Sequence, residues 1–227
     1  MWIKFALLVV GAYLLGSIPA AYLAAKWYKG IDIRKVGTGN VGSSNVMSST
    51  SKWLAVPVAL FDMGKGALAV WIAQIVLHSA PQTMSVGFVV IAGHNWPVFL
   101  GFRGGKGMIT SLGVITVISP LLGLIILLTA YIPAVIKQLA LGVFLALVEL
   151  PLLSWFFYQP LGLDLDKRLA VTIGFAFISA MGFAKRLIGP RMEISRNVPA
   201  GELLLNRLLF DRDIRDRKAW INRQPAQ

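Results

Sequence analysis

Residues Gly93 to Thr110 read GHNWPVFLGFRGGKGMIT. An apolar run leads into this stretch and another follows it, so the chain emerges here from an oily phase and returns to it. Between the two lie His94, Arg103 and Lys106, with Gly104, Gly105 and Gly107 around the lysine. Glycine lacks a Cβ and tolerates positive φ, so this spacing exposes backbone N–H groups and lets a ligand approach the chain closely. A helix starting near Gly107 would bring its positive dipole end to the same place. The stretch reads as an anion site, for a phosphate, at a membrane edge. Ordinary positive-inside flanks would account for Arg103 and Lys106, but not for four glycines between residues 101 and 107.

Composition sets the class. Of 227 residues, 56% are hydrophobic and 14% are Asp, Glu, Lys or Arg, against about a quarter charged in soluble domains. Mean hydropathy is +0.70. A soluble fold of this length has no interior for so much apolar surface, so an all-α polytopic membrane protein is expected. Met1 to Ala25 is expected to be a retained first span, since no polar domain follows a short signal-like segment. The absence of cysteine excludes disulfides, thiolate catalysis and cysteine metal sites. His78 and His94 are too few for a histidine-rich metal centre, and no cofactor is expected. The net charge of +12 concentrates in residues 26–35 and 185–227. Such edges face the cytoplasm and meet anionic lipid or an anionic substrate. No nucleic-acid recognition module accompanies them.

The first span, about Trp2 to Ala25, carries GSIPAAY at Gly16 to Tyr22, where Pro19 should interrupt the helix and Ser17 should help satisfy the freed backbone. A basic loop with Arg34 and Lys35 follows, then a second span, about Trp53 to Leu77, and a third, about Thr83 to Leu100. Residues 108–136 read as one long tilted helix or two short ones, broken by Gly113, Pro120, Gly123 and Pro133. Lys137 sits on the basic side only if this stretch crosses twice. Spans at about Gln138 to Tyr158 and Leu169 to Leu187 complete a count of six or seven. Seven places the N-terminus outside and the C-terminus inside. Residues 1–190 form the membrane domain, and residues 191–227 a basic cytoplasmic tail with an amphipathic interfacial helix in Gly201 to Trp220.

Three further features carry chemistry. Gly37 to Gly42 spells GTGNVG, a dinucleotide fingerprint by spacing, yet it follows a basic loop and leads into Ser43, Ser44 and Asn45 with no strand before it. These residues make better sense as a nest of N–H donors around Gly37, Gly39 and Gly42, supplemented by Asn40, Ser43 and Asn45. Neither lysine loop is a Walker motif, because position 100 is Leu, position 59 is Ala, and Lys106 is followed by Gly107. Asp62 and Lys65 share a helix face inside an apolar span; such a pair either serves a substrate or holds the span against its neighbours. His94 stands beside the glycine–lysine loop as a proton acceptor or a hydrogen-bonding partner.

GSIPAAY, GTGNVGSSN, DMGKG at Asp62 to Gly66, and GHNWPVFLGFRGGKGMITSLG, in this order, resemble the integral-membrane glycerol-3-phosphate acyltransferases that use acyl phosphate as donor. The resemblance covers about residues 10–190. It implies seven spans in a bacterial inner membrane with motif loops facing the cytoplasm. It also implies transfer of a fatty acyl group from acyl phosphate to the sn-1 hydroxyl of glycerol 3-phosphate, giving lysophosphatidic acid and phosphate for phospholipid biosynthesis. No acyl carrier protein, coenzyme A or metal takes part, and a monomer is the expected state. An activated donor needs no covalent nucleophile, only two anions held together and charge stabilised on the carbonyl and leaving phosphate.

By resemblance, Lys106 with Gly104, Gly105 and Gly107 binds phosphate, and Ser43 and Asn45 with the Gly37 to Gly42 backbone meet the acyl phosphate. Arg34, Lys35 and Arg103 attract anions at the rim, Asp62 and Lys65 complete the substrate site, and His94 positions the acceptor hydroxyl or a phosphate. The family's third motif has a histidine, a spaced Asn and Arg, and then Gly-Glu. This chain has no histidine after His94. Its counterparts fall on Lys185, Arg186 and Arg191, or on Arg196, Asn197, Gly201 and Glu202, with Asn206 and Arg207 a further match; Arg196 and Asn197 are taken as acceptor-binding. Ser43-Ser44 also replaces the commoner Ala-Thr. A different phosphorylated polyol as acceptor is the nearest alternative. A transporter of a phosphorylated solute would show polar residues facing both sides, whereas here they crowd toward one.

Overall fold

The computed structural model describes residues 2–189 and 192–221, so Arg191 of the third-motif alternatives lies outside the described residues. Every regular element among the described residues is helical. Helices α1 (Trp2–Ser17) and α2 (Ala20–Lys29) form the first span and are broken at Ile18 and Pro19. Then come α3 (Ser43–Ser49), α4 (Lys52–Leu77), α5 (Ala80–Asn95), α6 (Met108–Ile118), α7 (Pro120–Tyr131), α8 (Leu139–Phe156) and α9 (Leu165–Leu187). The tail holds α10 (Ala200–Phe210) and α11 (Arg217–Ile221).

Five segments are long and apolar enough to cross a membrane: Trp2–Lys29, Lys52–Leu77, Ala80–Leu100, Leu139–Phe156 and Leu165–Leu187. The remaining apolar sequence is two short helices, Met108–Ile118 and Pro120–Ile136, and not one long one. The break falls at Ser119, whose side chain accepts from Leu122 N and caps α7, which Pro120 begins. The Ser119 hydroxyl also donates to Leu161 O at 2.6 Å, and Ile118 shares a cleft with His78 and Gly162. The α6–α7 turn therefore reaches the bundle end formed by the α4–α5 and α8–α9 connections, while Lys106 and Lys137 both return to the other end. The chain passes through the bundle seven times. α6 has eleven residues and is only about 16 Å long, so the loop before it must dip into the bundle.

Small residues set the closest approaches, as expected where lipid offers helices no hydrophobic drive to associate. A Cβ on Gly16 would lie 2.1 Å from Val90 O, and one on Gly93 2.4 Å from Tyr13 O, which seats α1 on α5. A Cβ on Gly113 would lie 2.0 Å from Met63 O, and one on Gly66 2.2 Å from Thr110 O, which presses α6 onto α4. Pro19 interrupts the first span as expected, but the backbone is satisfied differently. Ser17 Oγ donates to Tyr13 O at 2.8 Å, whereas Ile18 O accepts from Lys65 Nζ at 3.2 Å, 47 residues away.

Candidate functional site

Two loops and the tail meet at one end of the bundle. In the first loop, Asp32 caps the short 3-10 turn Ile33–Lys35 by accepting from Arg34 N. Its carboxylate also takes the Arg34 guanidinium at 2.7 Å. Arg34 holds the Asp32 carboxyl below its ordinary range, with burial working the other way. The guanidinium lies over the Tyr22 ring and donates to Leu100 O, joining this loop to the next.

Asn45 organises the loop from beneath and is fully buried. Its Nδ2 donates to Ile33 O, Val36 O and Asn40 O at 3.0–3.1 Å, and its Oδ1 accepts from Thr38 N and the Ser49 hydroxyl. This approach is why residue 37 is glycine: φ is +57°, and a Cβ there would lie 2.3 Å from Asn45 Oδ1. Thr38, Asn40, Ser43 and Ser44 are thereby turned toward the cavity.

The second loop is clamped against α5. Gly105 N donates to His94 O at 3.1 Å, and a Cβ on Gly105 would lie 2.2 Å from His94 Nε2 and 2.5 Å from Val41 O. Gly107 takes φ +73° as the N-cap of α6. Lys106 and the first turn of α6 then face the cavity, where first-turn N–H groups have no acceptor within their own helix.

The cavity has a volume of about 380 Å³ and two chemically distinct ends. Ser43, Asn40, Lys106, Ser111 and Arg186 line the polar end; Ile115, Ile126, Val143, Leu147 and Ile178 line the apolar one. The Ser111 hydroxyl is buried and has no partner among the described residues. Such a space suits a molecule with an anionic head and a hydrocarbon tail. No group of three or more His, Asp or Glu capable of holding a metal occurs among the described residues.

The sequence model of the glycerol-3-phosphate acyltransferase family matches residues 6–188. The chain belongs to this family. It is 44% identical over 222 residues to glycerol-3-phosphate acyltransferase 4 of Dehalococcoides mccartyi (strain CBDB1), a match covering 98% of this chain and 95% of the relative. It is 43% identical over 149 residues to the glycerol-3-phosphate acyltransferase of Thermoanaerobacter sp. (strain X514), covering 65% and 75%. A solved integral membrane glycerol 3-phosphate acyltransferase, PlsY (YgiH), in its lysophosphatidic acid form, superposes with a TM-score of 0.73 at 29% identity. That match covers 96% of this chain and 98% of the other. The same enzyme in its glycerol 3-phosphate form gives 0.68 at 33% identity, covering 78% and 88%.

Within this acyltransferase, the structure sorts the expected site residues into three groups. Ser43, Asn40, Gly42, Lys106 and Gly107 line the cavity, and so do His94 and Asp62 at its wall. Asn45, Lys65, Gly37, Gly104 and Gly105 are framework: Asn45 is saturated by loop backbone, and Lys65 is buried against Asp62 and Ile18 O. Arg34 and Gly39 line no part of the cavity, and Lys35, Arg103, Arg196 and Asn197 are exposed outside it. Arg34 is taken by Asp32. At the end of the last span Arg186 reaches the cavity, donating to Ala140 O at 2.9 Å and to Leu208 O. Lys185 donates to Asn95 O just behind it.

The tail folds back over the cavity. Arg207 Nε donates to buried Asp213 at 2.7 Å, while Arg207 Nη1 donates to Leu187 O and Gly189 O. Phe210, Asp211, Arg212 and Arg217 thereby join the lining. Ser111 and these tail residues escaped sequence reasoning; an unpartnered serine or a charge-rich tail carries no signal until the chain is folded.

Proposed function

We propose that this acyltransferase moves a fatty acyl group from acyl phosphate to the sn-1 hydroxyl of glycerol 3-phosphate, releasing lysophosphatidic acid and phosphate. The two-ended cavity carries the reading. An apolar arm between α6, α7, α8 and α9 takes the acyl chain, and the polar end under the two loops takes phosphate. Lys106 and the first turn of α6 bind a phosphate by charge and N–H donation. Ser43 donates to the donor near its carbonyl, and the Ser111 hydroxyl and Arg186 hold the acceptor. His94, with Nδ1 turned to Asp62, presents Nε2 on the loop side and keeps the loop seated. Attack of the acceptor hydroxyl on the acyl carbon forms the ester C–O bond and breaks the C–O bond to phosphate, and the hydroxyl proton passes to a phosphate oxygen; phosphate is already a good leaving group. Proximity and charge stabilisation suffice.

The donor is neither acyl carrier protein nor coenzyme A. Residues 1–190 hold the membrane-embedded chemistry, with the N-terminus outside and the site facing the cytoplasm of a bacterial inner membrane. The basic loops lie on the site's face, which supports that orientation. One chain supplies the whole cavity, which supports a monomer.

Purified protein given palmitoyl phosphate and glycerol 3-phosphate should form lysophosphatidic acid and inorganic phosphate in equal amounts, and nothing from palmitoyl-coenzyme A. Product from the thioester, or lipid product without phosphate release, would overturn the donor assignment.

A further inference from the structure

Lys106 is not free in the structure. Both oxygens of Asp211 lie 2.5 Å from its Nζ, from a position 105 residues along the chain. The geometry matches the way an ammonium holds two oxygens of a phosphate. Asp211 ends α10 in the left-handed region, φ +57°, so its side chain is aimed by a helix terminus and not by a flexible arm. Around it the cavity is lined by Lys106, Lys137, Arg186, Arg212 and Arg217, whereas the other acid at the wall, Asp62, is already engaged by Lys65. Among the described lining residues Asp211 is thus the counterion of a strongly positive space. The neighbouring Arg212 has a buried Nε with no acceptor.

We propose that Asp211 is a built-in surrogate for the substrate's phosphate: it occupies Lys106 and must be displaced by a phosphate group, which then also takes the Nε–H of Arg212. This rests on the reading that Lys106 receives phosphate. The tail becomes part of substrate selection. A ligand must out-compete a two-oxygen carboxylate, which a dianionic phosphate ester or acyl phosphate does and a single weak acceptor does not. Displacement also frees Asp211 from the loop, so occupancy of the site is felt by α10.

The test uses full-length protein in detergent, titrated calorimetrically with inorganic phosphate. Asn and Gly both accept the left-handed conformation, so Asp211→Asn and Asp211→Gly keep the end of α10. Both should bind phosphate about three- to tenfold more tightly than the parent, the range for losing a half-exposed competing ion pair. Arg212→Ala should bind more weakly. In turnover, Asp211→Asn should lower KM. Whether KM falls for palmitoyl phosphate or for glycerol 3-phosphate tells which phosphate Lys106 holds. Equal or weaker phosphate binding by both Asp211 variants would overturn the proposal, because a merely structural tail contact can only weaken the site. Phosphate binding undiminished in Lys106→Ala would overturn the underlying reading, and the surrogate with it.

Discussion

His94 Nδ1 lies 3.4 Å from Asp62 Oδ1, and Lys65 Nζ lies 2.7 Å from the same oxygen; the three side chains are 9%, 4% and 1% exposed. An acid, a base and an imidazole thus share one buried point between α4 and α5, directly behind the glycine loop. Ion pairs in such places cost desolvation and are held by their neighbours; breaking one partner leaves an uncompensated charge. Here Lys65 also donates to Ile18 O at the break between α1 and α2, so the pair joins three helices and the loop.

Asp62→Asn or Lys65→Met alone should therefore destabilise the protein by about 3–5 kcal/mol. The double variant should lose clearly less than the sum. Thermal unfolding of the three variants in detergent measures this, and additive losses would show that the two side chains act independently.

Adjacent glycines in α4 should behave oppositely. Gly64 has nothing within 4 Å of an added Cβ, whereas Gly66 has Thr110 O at 2.2 Å. Gly64→Ala should be neutral or stabilising by about 0.5–1 kcal/mol. Gly66→Ala must push away α6, whose first turn follows directly on the Lys106 loop, and should cost at least tenfold in kcat. Unfolding temperature and turnover of the pair read both effects; an active, stable Gly66→Ala would contradict the close packing.

Framework and contact roles in the first loop separate in the same way. Asn45→Asp sets a carboxylate against three carbonyls that now receive N–H groups, and should cost about 3 kcal/mol of stability together with activity. Ser43→Ala should lose activity with its unfolding temperature unchanged. Loss of stability in Ser43→Ala with Asn45→Asp unaffected would reverse the assignment.

Tail docking should be acid-sensitive. Burial disfavours the Asp213 carboxylate, but Arg207, Met192 N–H and the Ser195 hydroxyl outweigh it and hold its pKa below the ordinary value of 3.8. A depressed carboxyl contributes stability that is complete above its unfolded pKa and is lost as pH falls through the folded one. Limited proteolysis of the tail should be flat from pH 5 upward and accelerate below about pH 4. Asp213→Asn should be cleaved readily at neutral pH and lose that acid dependence.

Much of the fold was legible because hydropathy and glycine act locally. The break at Pro19, the helix starting after Gly107 and the return of Lys137 to the basic end each follow from a few adjacent residues. The placement of Lys106 and Ser43 on the cavity wall was legible for the same reason, since loop glycines advertise the side chains between them. The hydrogen bonds of Asn45 to its own loop were not legible, because a polar residue beside a nest looks identical whether it faces a ligand or the loop's own carbonyls. The packing of Lys65, Arg186 and the tail was not legible because their partners, Ile18 O, Ala140 O and Lys106, lie 46 to 105 residues away. Periodicity carries no record of such pairings.

We propose one cavity that joins a hydrocarbon arm to a phosphate anchored on Lys106. The most direct test is the rate of lysophosphatidic acid formation from palmitoyl phosphate and glycerol 3-phosphate by Lys106→Ala, beside the parent and at matched folded fraction. The account predicts a fall of at least a hundredfold, about 2.7 kcal/mol of lost transition-state stabilisation. Turnover within a few-fold of the parent would contradict it.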